Sequence, residues 1–548
     1  MRKIKVCDST LRDGAQAPGV NMSPSGRFYV AKALADTGVD VIECGFAANR
    51  IDYDFMRDVA KFIGSRKHSA NRTVPVVCSI ARLERKEEEL AYKSLEPADP
   101  DKRRIHVFIG TSKYLMDHSH GRDEDSILEM VPRSVEISRG LVGREGSVQF
   151  SPEDAMRTDP AFLLKVIQRA VDAGADMINV TDTTGVVVSD RYFDAIKGIR
   201  SDVRGDYRIS AHVHNDSGTA VATTLKGIEA GADQIVGCVN QLGERAGNAD
   251  WIVVVNDLRV LSNHYGVDVD HIDATKFYDL AKLVTAVTNQ EPLLNHPVTG
   301  KVAFTASSGI HVNALMRDRK TYNEIPPESV GRELEIVLGQ TSGRRGVAYF
   351  LETHGYDHTG DLKGLTEAIK RHSTRFGDIA DTEARLLAQH YVRGKPLKRR
   401  IHLIDYKPGG SMRGGFEMKD VVLGVDGAER RGSGAGEGPV DAFMTATKGI
   451  LGIQAELYDF SDKAVYRGRG APGYEFLERM KFSKEELELL GTNGVSRGQS
   501  AIAQSNIQLV YDGQIYHGRG SARDILRAPC EAIVSGFDAI YRLNSLQG

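Results

Sequence analysis

The sequence predicts an α/β protein: a (β/α)8 TIM barrel, then a helical linker subdomain, then an α+β C-terminal regulatory domain with an internal duplication. Three observations predict it. Short β-rich runs recur eight times between residues 3 and 241, and helical spacing fills most of the gaps. No glycine-rich nucleotide turn follows the first run, which disfavours the alternative of an open doubly wound sheet. The final 150 or so residues contain two copies of one strand–strand–helix pattern.

The runs are "KIKVCDST" (3–10), "VDVIECG" (39–45), "VPVVCSIA" (74–81), "RIHVFIGTS" (104–112), "GSVQFSPED" (146–154), "DMINVTDT" (176–183), "RISAHVHND" (208–216) and "QIVGCVNQ" (234–241). Segments such as "SGRFYVAKALADTG" and "DPAFLLKVIQRAVDAGAD" lie between them with helical spacing. In "TGVD" and "AGAD", glycine just past a helix supplies the left-handed cap before the next strand. The barrel is placed at 1–279 and the helical linker subdomain at 280–395. The C-terminal regulatory and dimerisation-type domain takes 396–548.

Composition excludes several classes. The 548 residues are 41% hydrophobic and 26% charged, with a formal net charge of −3, so a nucleic-acid-binding surface is not expected. The start "MRKIKVCDSTLRDG" turns polar too early for a signal peptide, and no apolar run is long enough for a membrane span. Five cysteines (Cys7, Cys44, Cys78, Cys238, Cys530) form no metal-binding spacing. A cytoplasmic protein is expected.

Barrel active sites lie at the C-terminal ends of the strands. Here those ends carry Arg12 and Asp13, Glu43, His106, Glu153, Thr183, and the pair His212 and His214. Alternate residues of a strand share a face, so His212 and His214 point the same way. An isolated His-x-His reads first as a polar patch on a half-exposed strand, so its surroundings decide. With Asp13 at the same mouth, and Asn248 as a further candidate, the set becomes a mixed oxygen–nitrogen metal site suited to Mn²⁺, Mg²⁺ or Zn²⁺. Such an ion polarises a ketone as a Lewis acid, and Arg12 can steady oxyanion charge. The residues by themselves support metal-assisted carbonyl chemistry without naming the reaction.

The motifs "DSTLRDGAQAPG" (8–19), "HVHND" (212–216) and "NQLGERAGN" (240–248) resemble the signatures of the DRE-TIM metallolyase superfamily. Within it, "SPEDAMRTD", "SSGIHVNAL" and "PPESVGRELEIVLGQTSGRRGV" extend the likeness to the 2-isopropylmalate, homocitrate and citramalate synthase family. The C-terminal region points to its 2-isopropylmalate branch. The resemblance implies Asp13, His212, His214 and Asn248 as metal ligands and Arg12 on the reacting carbonyl or enolate oxygen. It implies Thr183 on the oxo-acid carboxylate, Glu43 and His106 lining the pocket, and proton transfer by Glu153, His311 and Tyr322. The last two would act in a neighbouring subunit of a homodimer or dimer-based oligomer.

The implied reaction is Claisen condensation of acetyl-CoA with a 2-oxo acid, first 2-oxoisovalerate, on the leucine route, with an amino-acid effector such as leucine. Citramalate, homocitrate and specialised alkylmalate synthases are the alternatives. A carbon–carbon lyase like 3-hydroxy-3-methylglutaryl-CoA lyase is more distant, because such lyases typically lack the later domains. A non-catalytic effector-binding relative is disfavoured by the complete metal set. Departures from the family pattern are Ala15 for Glu, Thr181 for Pro, Ser217 for Leu, Ala306 for His, and Val312-Asn313 for Gln-Asp. They leave every implied metal ligand in place and bear on the substrate.

In the C-terminal part, residues 421–450 echo 507–536. Asp426-Gly427 matches Asp512-Gly513, and Gly432/Gly434 match Gly518/Gly520. The Asp-Gly pairs read as hairpin turns and each Gly-x-Gly as a further turn before a helix. "GSGAGEG" lacks the Lys-Ser/Thr of a P-loop. The run "RGKPLKRR" (393–400) reads as a solvated linker. Segment 474–500 separates the repeats and carries a helical charge pattern.

Overall fold

The structure is a computed structural model. It describes all residues except 70–72, 358–359, 377–378, 412–414, 467–500, 523, 525 and 545–548. The expected helix in 474–500 therefore lies outside the described residues. Two compact units are present: Met1–Thr305 with Asn323–Leu334, and Ala306–Tyr322 with Glu335–Gly548.

The first unit is a closed barrel of eight parallel strands. They are β1 (Lys5–Asp8), β2 (Val41–Phe46), β3 (Val76–Arg82), β4 (Arg103–Gly110), β5 (Ser147–Glu153), β6 (Met177–Asp182), β7 (Arg208–Val213) and β8 (Gln234–Gly237). Each expected run overlaps one of them, and three strands reach one residue beyond their run. Pairing of Lys5 with Gln234 and of Cys7 with Val236 closes the ring. Helices α1 (Pro24–Thr37), α2 (Arg50–Phe62), α3 (Arg85–Leu95), α4 (Glu124–Val142), α5 (Pro160–Asp172), α6 (Ser189–Asp202), α7 (Ala220–Ala230) and α8 (Trp251–Val260) surround it. Gly38 ends α1 at φ 95° and Gly174 follows α5 at φ 101°, the left-handed turns expected from "TGVD" and "AGAD".

Apolar residues of strands and helices make one continuous core, from Val6 and Ile42 to Ile235 and Trp251. Trp251 is fully buried and donates its indole N–H to Asp8 Oδ2 at 2.8 Å. It packs edge-on against Phe277 of α9 (Phe277–Thr288). Burial satisfies both ends of an amphipathic ring and ties α8 to the exit of β1.

The second unit begins with α10 (Gly309–Leu315). It continues with α11 (Arg344–Thr353), α12 (Leu362–Phe376) and α13 (Asp381–Arg393), which share a small core around Val347, Leu365 and Ala388. Two three-stranded antiparallel sheets follow. One comprises β9 (Ile401–Ser411), β10 (Gly415–Val425) and β11 (Ala428–Gly436), followed by α14 (Pro439–Leu451). The other comprises β12 (Glu456–Tyr466), β13 (Ala501–Tyr511) and β14 (Gln514–Ala522), followed by α15 (Arg527–Asn544).

The duplication is real, but one detail of its reading is corrected. Asp426 and Asp512 do take left-handed φ of 52° and 50° in two-residue hairpin turns. The Gly-x-Gly pairs are not turns. Gly432 and Gly434 lie inside β11, and Gly518 and Gly520 inside β14. A Cβ at Gly434 would stand 2.3 Å from the Ala442 carbonyl oxygen, and one at Gly520 would stand 2.0 Å from that of Ala528. These glycines let α14 and α15 lie directly on their sheets. Gly434→Ala should therefore shift the C-terminal unit's urea transition by about 1–3 kcal/mol, as overpacking does. An unchanged transition, followed by circular dichroism, would contradict this close packing.

Candidate metal centre and active site

The site is assembled at the C-terminal end of the barrel, beginning with the turn after β1. Asp8 accepts the backbone N–H and hydroxyl of Thr10 at 2.9 and 2.7 Å, which shapes that turn. Arg12 and Asp13 follow, and Asp13 is 4% exposed. His212 sits in β7, paired in register with Thr181 of β6. His214 lies just past the strand and bridges to Asn248.

Asp13, His212 and His214 bring ligand atoms within 4.8 Å of one another. Each Nε2 lies 3.9 Å from Asp13 Oδ2, and the two rings stack at 5.3 Å. Asn248, fully buried, donates to Asp13 Oδ1 at 3.0 Å and accepts at Oδ1 from the His212 ring at 3.0 Å. Burial pushes Asp13 up, but Arg12 and the two imidazoles outweigh it and hold the carboxyl at about 2. Burial, with His214 adding to it, lowers His212 to about 3, and burial lowers His214 too. An ionised carboxylate beside two neutral imidazoles is the protonation state that a divalent cation requires of its ligands. The buried Nδ1 atoms of both histidines have no hydrogen-bond partner among the described residues. The donor set therefore fits a divalent ion.

Behind this trio stands Glu43, 1% exposed. Its Oε2 accepts from Ser9 Oγ and Arg12 Nε, both at 2.6 Å, and its Oε1 meets His106 Nδ1 at 2.6 Å. Arg12 also donates to Asp13 at 2.6 Å. Burial opposes the Glu43 charge, yet Arg12 and His106 hold this carboxyl well below its usual range. Burial likewise works against the Arg12 cation, and the Glu43 and Asp13 charges more than offset it. His106 Nε2 reaches Ser151 Oγ at 2.6 Å, which also receives Asn179 Nδ2 at 2.8 Å. Cys78 lies near Glu43 and His106, but burial pushes its thiol up and the other two are already bonded to each other.

A cavity of about 510 Å³ opens over this network. Its wall includes Arg12, Asp13, His106, Glu153, Thr183 and both metal-site histidines, with Phe46, Ile80 and Phe108 as an apolar side. Glu43 is not on that wall; it anchors two residues that are. Glu153 ends β5, and burial followed by the Asp154 charge raises its carboxyl. After "SPED" comes only a short 3-10 turn, Ala155–Arg157, with Asp154 at φ 63°, and α5 is capped later by Asp159. Thr183 Oγ1 accepts the Asp154 N–H at 2.9 Å. His311 and Tyr322 belong to the second unit, where their rings lie 4.2 Å apart and both residues are exposed.

The loop 240–248 is conformationally costly. Asn240, Gln241 and Arg245 all have φ between 56° and 59°. A Cβ on Gly243 would meet Asn248 Nδ2 at 2.2 Å and Asp13 Oδ1 at 3.0 Å. Glycine is required where the loop passes the Asn248 and Asp13 side chains. Sequence reasoning missed Ser9, Ser151 and Asn179. The signal for the last two was available, since Ser151 and Glu153 share a face of β5, and Asn179 and Thr181 share a face of β6.

Comparison with known proteins follows the same division. A family profile described as HMGL-like matches residues 3–284, and one described as homocitrate synthase post-HMGL domain-like matches 298–376. A LeuA allosteric (dimerisation) domain profile matches 379–478 and 474–541. A 2-isopropylmalate synthase of Acidimicrobium ferrooxidans is 35% identical over 545 residues, covering 99% of this chain and 96% of that one. The chain belongs to the 2-isopropylmalate synthase family. Members from Aquifex aeolicus (32% identical) and Gloeothece citriformis (30%) each cover 98% of this chain, and 96% and 95% of their own. Family membership thus spans barrel, helical segment and duplicated domain alike. Among the described residues, no helix is long and apolar enough to cross a membrane.

The His212 shift has a direction that can be measured on metal-free protein. The unfolded imidazole takes a proton near 6.5, whereas the folded one resists until about 3. The unfolded state therefore binds more protons in that window, and stability falls as pH drops from 6.5 toward 3. His212→Asn lacks this contribution, so in chelator its stability should fall less steeply than wild type, by several kcal/mol over the window. Parallel pH profiles in denaturant melts would contradict a buried neutral His212.

Proposed function

We propose that the chain is a metal-dependent acyltransferase that condenses acetyl-CoA with a 2-oxo acid, 2-oxoisovalerate in the first instance, to give 2-isopropylmalate for leucine synthesis. The observation that carries this reading is the convergence of Asp13, His212 and His214 beside a buried, doubly anchored Arg12 in one cavity. The family relatives bear the name 2-isopropylmalate synthase. Asp13, His212 and His214 hold the divalent ion, with Asn248 completing the protein shell. The ion, when bound, supplies Lewis-acid polarisation of the ketone.

The chain's own residues do the rest. Thr183 binds the oxo-acid carboxylate, and His106 lines the pocket. Phe46, Ile80 and Phe108 give an aliphatic side chain an apolar wall. Arg12 stays cationic between its two carboxylates and stabilises oxyanion charge as it develops. Glu153, whose carboxylate burial makes more basic than usual, removes a methyl proton from acetyl-CoA. The resulting carbanion forms a carbon–carbon bond to the ketone carbon, whose oxygen then takes a proton. Water cleaves the thioester, releasing free CoA thiol and the second carboxylate. His311 and Tyr322 are further candidates for proton transfer, acting from a second copy of the chain.

The Thr181 and Ser217 departures favour keeping a second reading, a related alkylmalate synthase with another oxo acid. Thr181 Oγ1 donates to the Pro152 carbonyl at 2.8 Å, and Ser217 Oγ to that of Gly185 at 2.7 Å. The first bond links the ends of β5 and β6 where Thr181 lines the cavity, and the second joins the segments that follow β6 and β7.

Free thiol released from acetyl-CoA, measured with a panel of 2-oxo acids, distinguishes these readings. Metal-dependent release with 2-oxoisovalerate is expected, suppressed by chelator and restored by Mg²⁺, Mn²⁺ or Zn²⁺. Release only with pyruvate or 2-oxoglutarate would reassign the substrate, and silence with every oxo acid would refute the condensation. Glu153→Gln should lower kcat by about 10²–10⁴. Separately inactive Tyr322→Phe and Asp13→Ala chains should recover activity when co-expressed; no recovery would remove Tyr322 from the proposed machinery.

A further inference from the structure

Helix α13 ends at Arg393, and Gly394 turns the chain at φ 68° into Lys395-Pro396-Leu397-Lys398-Arg399-Arg400 before β9. Every residue of 393–400 is exposed, as expected of a solvated linker, yet the backbone is pinned. The Lys395 N–H donates to the Gln389 carbonyl at 3.1 Å, and the His390 ring meets the Lys395 carbonyl at 2.7 Å. Arg542 donates to the Pro396 carbonyl at 3.0 Å. The N–H groups of Arg400 and Ile401 both donate to Asp538 Oδ1, at 2.8 and 2.9 Å.

The pinned segment, the Asp426–Gly427 turn and Arg542 of α15 enclose a cavity of about 560 Å³. Lys395, Lys398, Arg399, Arg400 and Arg542 line it against one carboxylate, Asp426. That carboxylate is already engaged. It accepts two bonds from Arg400, at 2.5 and 2.8 Å, and one from the Tyr541 hydroxyl at 2.7 Å. Among the described residues Lys395 and Lys398 have no anionic partner, and Arg399 meets only the Ser535 hydroxyl at 3.2 Å. A second, independent feature is Gln389. It is 4% exposed and its side chain lines the same cavity beside the cations.

We propose that this cavity in the second unit is a binding site for an organic polyphosphate, a ligand carrying two or more phosphate groups. Like charges gathered at one cavity repel, and a bound polyanion relieves that repulsion. Guanidinium forks and ammonium groups are the donors that phosphate recognition uses. Three cations without a carboxylate exceed what a single phosphate neutralises, and the volume is that of a small-molecule site. The duplication does not create a twin. Where the first repeat has "LKRR" (397–400) before its opening strand, the second has "GIQA" (452–455). The second turn is instead approached by Arg385, which donates to Gln514 at 3.3 Å.

Nucleoside triphosphates and the bisphosphate head of CoA share this chemistry. Calorimetric titration of the metal-replete full chain with MgATP, and separately with adenosine 3′,5′-bisphosphate, separates them by which probe binds more tightly. One probe per chain should bind, weakening with added salt. Lys398→Ala/Arg399→Ala should bind at least about tenfold more weakly, and His212→Ala, altered only in the barrel, should bind as wild type does. Lys398→Glu alone supplies the same comparison if the double variant does not fold. No binding of either probe at millimolar concentration, equal binding by wild type and the double variant, or loss in His212→Ala instead would each overturn the proposal.

Discussion

A guanidinium buried between two carboxylates organises the barrel mouth. Arg12 bonds Asp13 on one side and Glu43 on the other, all three almost wholly withdrawn from water. Charges in such a place are tolerated only when each is paired and its remaining hydrogen-bonding capacity filled. Glu43 meets that demand by also taking Ser9 and His106, and His106 passes the constraint to Ser151 and Asn179. One connected network thus reaches from the turn after β1 through β2 and β4 to β5 and β6. Removing Arg12 would leave its buried carboxylate partners uncompensated, a loss of roughly 3–5 kcal/mol. The network's value is geometric: it holds the cavity-facing groups of Arg12, Asp13 and His106 in fixed positions before any substrate arrives. The left-handed residues of the 240–248 loop are a cost accepted to bring Asn248 to the same point.

The C-terminal part obeys a different constraint, close approach of helix to sheet. Glycines at equivalent places in β11 and β14 remove the side chains that would hold α14 and α15 away. Because both copies need this contact, both keep the pattern. What the copies do not share is the chain entering them. A pinned basic segment precedes the first, and a short uncharged one precedes the second, so one ancestral unit presents two chemically different surfaces.

The barrel was legible because parallel strands buried on both faces read as compact apolar runs, and their polar ends announce the mouth. Asp13, His212 and His214 were legible for the same reason. The hub was only half visible. Glu43 stood out as an acid at a strand end, but its burial behind Arg12 and His106 depends on pairings across distant strands that spacing along one chain does not encode. The glycines of β11 failed differently. Gly-x-Gly looks like a turn locally, and only the helix packed against it reveals a strand. The basic run at 393–400 is solvent-exposed, as its charges suggest; what spacing along the chain does not encode is that residues as remote as Asp538 and Arg542 pin its backbone.

The central claim is that the folded barrel presents a ready-made divalent cation site of two neutral imidazoles and one carboxylate. Electron paramagnetic resonance of free Mn²⁺, titrated against wild-type protein and His212→Ala at neutral pH, tests it most directly. The account predicts saturable loss of the free-ion signal at one Mn²⁺ per wild-type chain, and no such uptake by a His212→Ala protein with an unaltered circular dichroism spectrum. Uptake of a full equivalent by that variant, or none by the wild type, would contradict it.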